Sequence, residues 1–361
     1  MEVNGDLTWK ETQRALVPLM RVNNTANLPY LIREYLCLGL VLWGCATALH
    51  AWQGGRIGTG EFIGLTALGI VLAAVMQHRL SGLAHDASHG TLLRSKVANE
   101  LVSDLFLMFP IFAMTQRYRE AHLGHHRWVN DPSRDPDLIR LNHPTPHTFP
   151  ISKAAFWRRY VLKALWPPSI LRYLLGRAKA ANLPVEGLEL KSVYRPKVAR
   201  VMRGTFWFCV LSAVHVGGVW PVFFLFWVAP LLTVYPMLMQ LREIAHHSNA
   251  PDDGDLTNSR VFQVNPVLSA MIFPYGQSFH LTHHLVAMVP HHRLRRAHRV
   301  LLAHRPYRET VTVCRGFFFR PPGSPGCSLV ELLAAPPRTQ AAATLRKPHI
   351  NNPVNERSTP C

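Results

Sequence analysis

The chain has 361 residues, long enough for a substantial core in one or two domains. It is 48% apolar and only 17% charged, short of the quarter usual in soluble proteins, and 39 Lys and Arg against 21 Asp and Glu leave a formal charge of +18. That charge suits nucleic acid or an anionic membrane surface; the apolar blocks along the chain favour the membrane, and no soluble nucleic-acid-binding module is found.

Residues 1–34 are polar and moderately basic, suit an amphipathic surface helix, and hold no apolar stretch like that of a signal peptide. Tyr35 to Trp52 carries no charged residue and approaches the ~20 residues of a spanning helix. Its terminal aromatics sit where interfacial anchors belong. A glycine-rich turn at 53–60 leads to a second apolar run, Phe62 to Met76, so a helical hairpin is predicted.

Residues 79–204 are basic and punctuated by proline. They carry a box with two histidines at i and i+4, His85-Asp-Ala-Ser-His89, and a second box, His122-Leu-Gly-His125-His126. On a helix, positions i, i+3 and i+4 share a face, so the second box points three imidazoles at one place. Between the boxes, Leu101 to Thr115 is apolar but contains Asp104 and Pro110, which reads as an interfacial segment too short to span.

Gly204 to Met239 has no Asp, Glu, Lys or Arg, and Gly217-Gly218 with Pro221 supply a turn inside it. The HxxHH spacing then returns as His280-Leu-Thr-His283-His284. If all boxes build one site they lie on one side of the membrane, so the crossings between residues 126 and 280 are even in number. Spans are therefore predicted at about 35–52, 61–78, 204–218 and 220–240: an all-α membrane protein with four helices in two hairpins. The Lys- and Arg-rich segments then share one side, which the positive-inside rule makes cytosolic. The organisation expected is a cytosolic segment 1–34, a membrane domain 35–320, and a disordered Pro-rich tail 321–361. The six cysteines form no CxxC pair, and Cys37, Cys45 and Cys209 lie in apolar segments, which points to packing.

Imidazole nitrogen is a good ligand for iron, zinc or copper. The candidate ligands are His85, His89, His122, His125, His126, His280, His283 and His284, with a ninth from the adjacent pair His246 and His247. Nine imidazoles exceed what a four-coordinate zinc site needs. Two metals with positions left open for dioxygen fit better, and redox chemistry favours iron. Carboxylates punctuate the boxes, and Asp86, Asp131, Asp135 and Glu243 are expected to hydrogen-bond the far nitrogens of ligand histidines. His291, His292 and His298 fall in a basic stretch read as a surface helix.

The strings HDASH (85–89), HLGHH (122–126) and HLTHH (280–284), with apolar pairs before and between them, resemble the membrane fatty acid desaturase and hydroxylase superfamily. HDASHG, HHRWVNDPSRDPDL and HHLVAMVPHHRL resemble its bacterial branch, and the likeness covers about residues 30–310. That resemblance implies a bundle of four membrane helices with a cytosolic helical cap holding a histidine-bound di-iron centre. The eight box histidines become iron ligands, and His247 fits the additional histidine after the fourth helix better than His246. Some members place an asparagine four residues before that histidine; Glu243 stands there in this chain. Dioxygen is the co-substrate, and two electrons come from a ferredoxin or a cytochrome b-type partner. No ferredoxin-like cysteine set or heme motif is fused to the chain, so the donor is expected to be a separate protein. The function expected is desaturation of an acyl chain in the bacterial inner membrane, with the site on the cytosolic side. Its nearest rival is a hydroxylase or ketolase of a carotenoid, alkane or other lipid. A metal transporter would place histidines inside the spans, where only His50 and His215 lie in or near one.

Overall fold

The computed structural model describes residues 6–142, 147–180, 190, 193–250 and 254–336. A short capped helix, α1 (Trp9–Leu16), precedes the long α2 (Leu28–Gln53) and α3 (Thr59–Ser88). Next come α4 (Lys96–Ser103), prolonged through a wide turn at Asp104–Met108, then α5 (Thr115–Arg127) and α6 (Pro136–Leu141). Helices α7 (Lys153–Phe156) and α8 (Pro167–Ala180) lead to α9 (Pro196–Val216). An almost continuous apolar rod follows, made of α10 (Trp220–Phe223), α11 (Ala229–Leu232) and α12 (Val234–His247). The last part runs through β1 (Val261–Gln263), α13 (Pro266–Ile272), α14 (His280–Leu285), α15 (Leu294–Leu301), α16 (Arg305–Thr310), β2 (Val313–Arg315) and α17 (Leu329–Ala334). The two strands pair in parallel, Phe262 opposite Cys314.

Among the described residues, three helices are long and apolar enough to cross a membrane: α2, α3 and the rod Trp220–His247. A fourth exists only if Lys96–Ile111 and α5, bent by 90° relative to each other, count as one broken span. The span expected over 204–218 falls in α9, which is not among the three. That helix starts at Pro196 with Lys197, Arg200 and Arg203 in its first turns and ends at Val216, before Gly217, so its uncharged part is short.

Length explains how the first box is placed. The 30 residues of α3 rise about 45 Å, well beyond a hydrocarbon core of about 30 Å. Its first half exposes Ile63, Leu68 and Leu72, and α2 exposes Leu36, Leu40 and Trp43, a surface that hydrocarbon solvates and water does not. From Ala73 onward almost every residue of α3 is buried, and the last turns carry His85 into the centre of the molecule. Gly69 permits the close approach that starts this packing: a Cβ there would stand 2.5 Å from Cys45 Sγ and 3.0 Å from Phe226.

The apolar segment between the first two boxes bends instead of crossing straight. Asp104 Oδ1 accepts from Thr115 N at 2.8 Å, and Thr115 Oγ1 lies 2.7 Å from Ser103 Oγ, which pins the start of α5 against α4. Within the tail expected from Pro321, residues to 336 are described, and Leu329, Val330 and Leu333 of α17 are buried in the core around α12. The remainder of that tail lies outside the described residues.

Candidate metal centre

Four elements deliver the histidines. His85 and His89 come from the end of α3, His122, His125 and His126 from α5, His247 from the end of α12, and His280, His283 and His284 from α14. Arg119 ties the first two together. Its guanidinium donates to Glu100 Oε2 at 2.5 Å and to the carbonyls of Ala87 and Ser88 at 3.1 and 2.9 Å, so α5 is clamped against the last turn of α3.

The nitrogens fall into two groups, each capable of holding a metal ion: His85, His89, His122 and His283 in one, His125, His247, His280 and His284 in the other. His126 joins the first, its Nε2 standing 3.1 Å from His122 Nε2 and 3.0 Å from His283 Nε2. His122 Nε2 is 2.9 Å from His89 Nε2. In the second group, His247 Nε2 is 3.1 Å from His125 Nε2 and 2.8 Å from His280 Nε2, and His284 Nε2 is 3.0 Å from His280 Nε2. Two nitrogens bound at ~2.1 Å to one ion at a right angle lie about 3.0 Å apart. The observed spacings are those of ligands around shared ions.

The far nitrogens agree. Asp135 receives His125 Nδ1 at 2.9 Å, and the carbonyl of Asn258 receives His247 Nδ1 at 2.9 Å. Each contact keeps the proton on Nδ1 and turns the Nε2 lone pair inward. His85 Nε2 is buried without a partner among the described residues, as a nitrogen waiting for an ion would be. Burial, followed by the charges of neighbouring imidazoles, holds His122, His126, His280, His283 and His284 well below the ordinary histidine pKa. They are neutral ligands at neutral pH. His125 differs: burial opposes its charge, but Asp135 and Asp137 outweigh burial and push its pKa up to about 9.

A family model for fatty acid desaturases matches residues 62–315, a stretch that holds all nine of these histidines. The chain belongs to the fatty acid desaturase family. It is also 26% identical over 320 residues to the dihydrorhizobitoxine desaturase of Bradyrhizobium elkanii, covering 85% of this chain and 84% of that protein. Family membership makes the protein an oxidoreductase of the desaturase and hydroxylase type.

The carboxylates expected beside ligand histidines divide. Asp135 stands against His125 and also caps α6, accepting from Asp137 N at 2.9 Å. Asp86 instead receives His291 Nδ1 at 2.8 Å and the His291 amide at 3.1 Å. Asp131 is engaged by Ser133 and Arg134 and touches no histidine among the described contacts. Glu243 lies 2.6 Å from Arg140, which also pairs with Asp137 at 3.0 Å. His246, the alternative to His247, is turned away: its Nε2 is 3.1 Å from the carbonyl of Gln277. His291 and His298, read as surface residues, are buried, and His298 Nδ1 is 2.8 Å from Tyr307 Oη.

A cavity of about 300 Å³ opens beside the centre and is bordered by His85, His122, His125, His247 and His280. Its wall also includes Arg242 and Gln277, which drew no notice as site residues. The available signal was Arg242-Glu243, two charges in an otherwise apolar rod. Nothing in the sequence marks the Asn258 carbonyl, because every residue has one.

Proposed function

We propose that the protein is a membrane-bound, oxygen-dependent di-iron desaturase. The observation that carries this reading is the pair of buried imidazole groups, eight nitrogens supplied by three boxes and one further helix, with His126 as the ninth. His85, His89, His122, His126 and His283 hold one iron; His125, His247, His280 and His284 hold the other. Iron held there supplies the oxidation of unactivated C–H bonds by dioxygen, which acid–base side chains cannot perform. In the net change the two hydrogens removed from a CH2–CH2 unit combine with one dioxygen, two electrons and two protons and leave as two waters. An acyl chain or another saturated chain provides that unit.

The chain's own residues orient and insulate. Asp135 and the Asn258 carbonyl fix the rings of His125 and His247, and Arg119 keeps the first two boxes in register. The two electrons come from a separate ferredoxin or cytochrome b-type donor. The protein resides in a bacterial inner membrane, crossed by helices that include α2, α3 and the Trp220–His247 rod, with the centre in a cytosolic cap. The similarity to the dihydrorhizobitoxine desaturase of Bradyrhizobium elkanii supports this chemistry over hydroxylation.

The test combines iron analysis of purified protein with mass spectrometry of extracts from cells expressing wild type, His125→Ala or His283→Ala. Two irons per chain and a product lighter by two hydrogens, both lost in the variants, are expected. A product heavier by one oxygen would replace desaturation by hydroxylation, and protein that binds no iron would overturn the reading.

A further inference from the structure

The cavity beside the centre is lined by apolar side chains, Leu138, Leu141, Phe149 and Met239 among them, together with groups that a hydrocarbon chain cannot satisfy. Tyr118, Asp137, Arg140, Arg242, Glu243 and Gln277 all border it. Pressing methylenes against charged groups strips their water and returns no hydrogen bond, so the charged part of the wall calls for a polar group on the ligand.

Its charges are unevenly paired. Arg140 is bound by two acids, Asp137 and Glu243. Arg242 is buried, and no carboxylate lies within ion-pair distance of it among the described residues. Its single described hydrogen bond is to Gln277 Oε1 at 3.2 Å. A guanidinium carries five donors in a planar fork that fits a carboxylate at two points. Arg242 therefore lines the cavity as a buried cation with most of its donors uncommitted.

Its position sets a length. Arg242 and His247 lie on the same helix, five residues and about 7.5 Å of rise apart. Both border the same cavity of about 300 Å³, so an anion held on Arg242 shares that space with the imidazoles. We propose that the substrate of this site is a compact molecule with a free carboxylate, anchored by Arg242, and that the bond that reacts lies a few carbons from that carboxylate. The proposal rests on the desaturase reading and names the substrate class for it.

The test measures binding to detergent-purified, iron-loaded protein by calorimetry, separately from turnover. The probes are hexanoate, 2-aminohexanoate, hexanamide and palmitate. Hexanoate or its 2-amino derivative is expected to bind at least tenfold more tightly than hexanamide, and Arg242→Gln is expected to remove that preference while iron content stays at the wild-type level. If Arg242→Gln does not fold or loses iron, the wild-type ranking of the four probes decides, with Arg242→Lys as the second variant. Equal binding of hexanoate and hexanamide, no binding of any probe, or palmitate binding far more tightly than hexanoate would each overturn the proposal. Turnover is scored afterwards: a carboxylate that binds through Arg242 and gains oxygen instead of losing two hydrogens would refute the desaturase reading and leave the anchor standing.

Discussion

Asp135→Asn separates charge from shape at the metal centre. The carboxylate accepts His125 Nδ1 at 2.9 and 3.0 Å, Asn130 N at 3.0 Å and Asp137 N at 2.9 Å. Asparagine caps a helix as well as aspartate, so α6 keeps its start. It has one acceptor oxygen, however, and if that oxygen stays with His125 and Asp137 the amide NH2 faces the Asn130 N–H. A donor then faces a donor in a buried site, which costs about 1–3 kcal/mol. His125 also loses the charge that fixes its ring, and losses of this kind weaken metal binding or activity by about 10–100-fold, or about 1.4–2.7 kcal/mol.

Iron retained by purified protein after dialysis against graded chelator is the assay, with circular dichroism to check the fold. Proton competition adds a second readout. In the metal-free fold the pKa of His125 is raised to about 9, so this contribution to stability is full below the ordinary value near 6.5 and is lost as pH rises through 9. An ion entering the second group displaces that proton, so iron uptake strengthens by about tenfold per unit between pH 7 and 9. In the Asp135→Asn protein this pH window shrinks. Wild-type iron retention and an unchanged pH profile in a folded Asp135→Asn protein would refute the role assigned to the carboxylate.

Two further predictions concern how the helices are held. Glu100→Ala leaves the partly buried Arg119 beside the first box without its acid, a loss of about 1.5–3 kcal/mol, read as a lower thermal midpoint in detergent together with loss of iron; an unchanged midpoint would show that the clamp is dispensable. Gly69→Ala overpacks the junction of α2, α3 and Phe226 by about 1–3 kcal/mol, and adding Cys45→Ala recovers part of it because Cys45 Sγ is the nearest obstacle. No recovery in the double variant would place the strain at Phe226 instead.

The chemistry of the site was legible because it is carried by spacing. HxxxH and HxxHH put imidazoles on one helical face wherever the helix goes, so eight ligand candidates could be written down from spacing before any coordinate, and the ninth only as one of the pair His246 and His247. The apolar runs of α2, α3 and the Trp220–His247 rod were legible for the same reason: hydrophobicity over twenty residues is a local property. What needed the fold was every relation between segments. His246 and His247 are adjacent in sequence, and the 100° turn between them sends one to the metal group and the other to the Gln277 carbonyl. Asp86 and Asp131 stand as near to boxes as Asp135 does, yet only Asp135 lies where α6 folds back on α5, while Asp86 meets a histidine 205 residues away. Arg242 could be seen as a charge in an apolar helix, but its lack of an acid became visible only once Asp137 and Glu243 were found on Arg140. Sequence determines which groups a helix presents; which groups pair, and which is left for a ligand, is decided where separate helices meet.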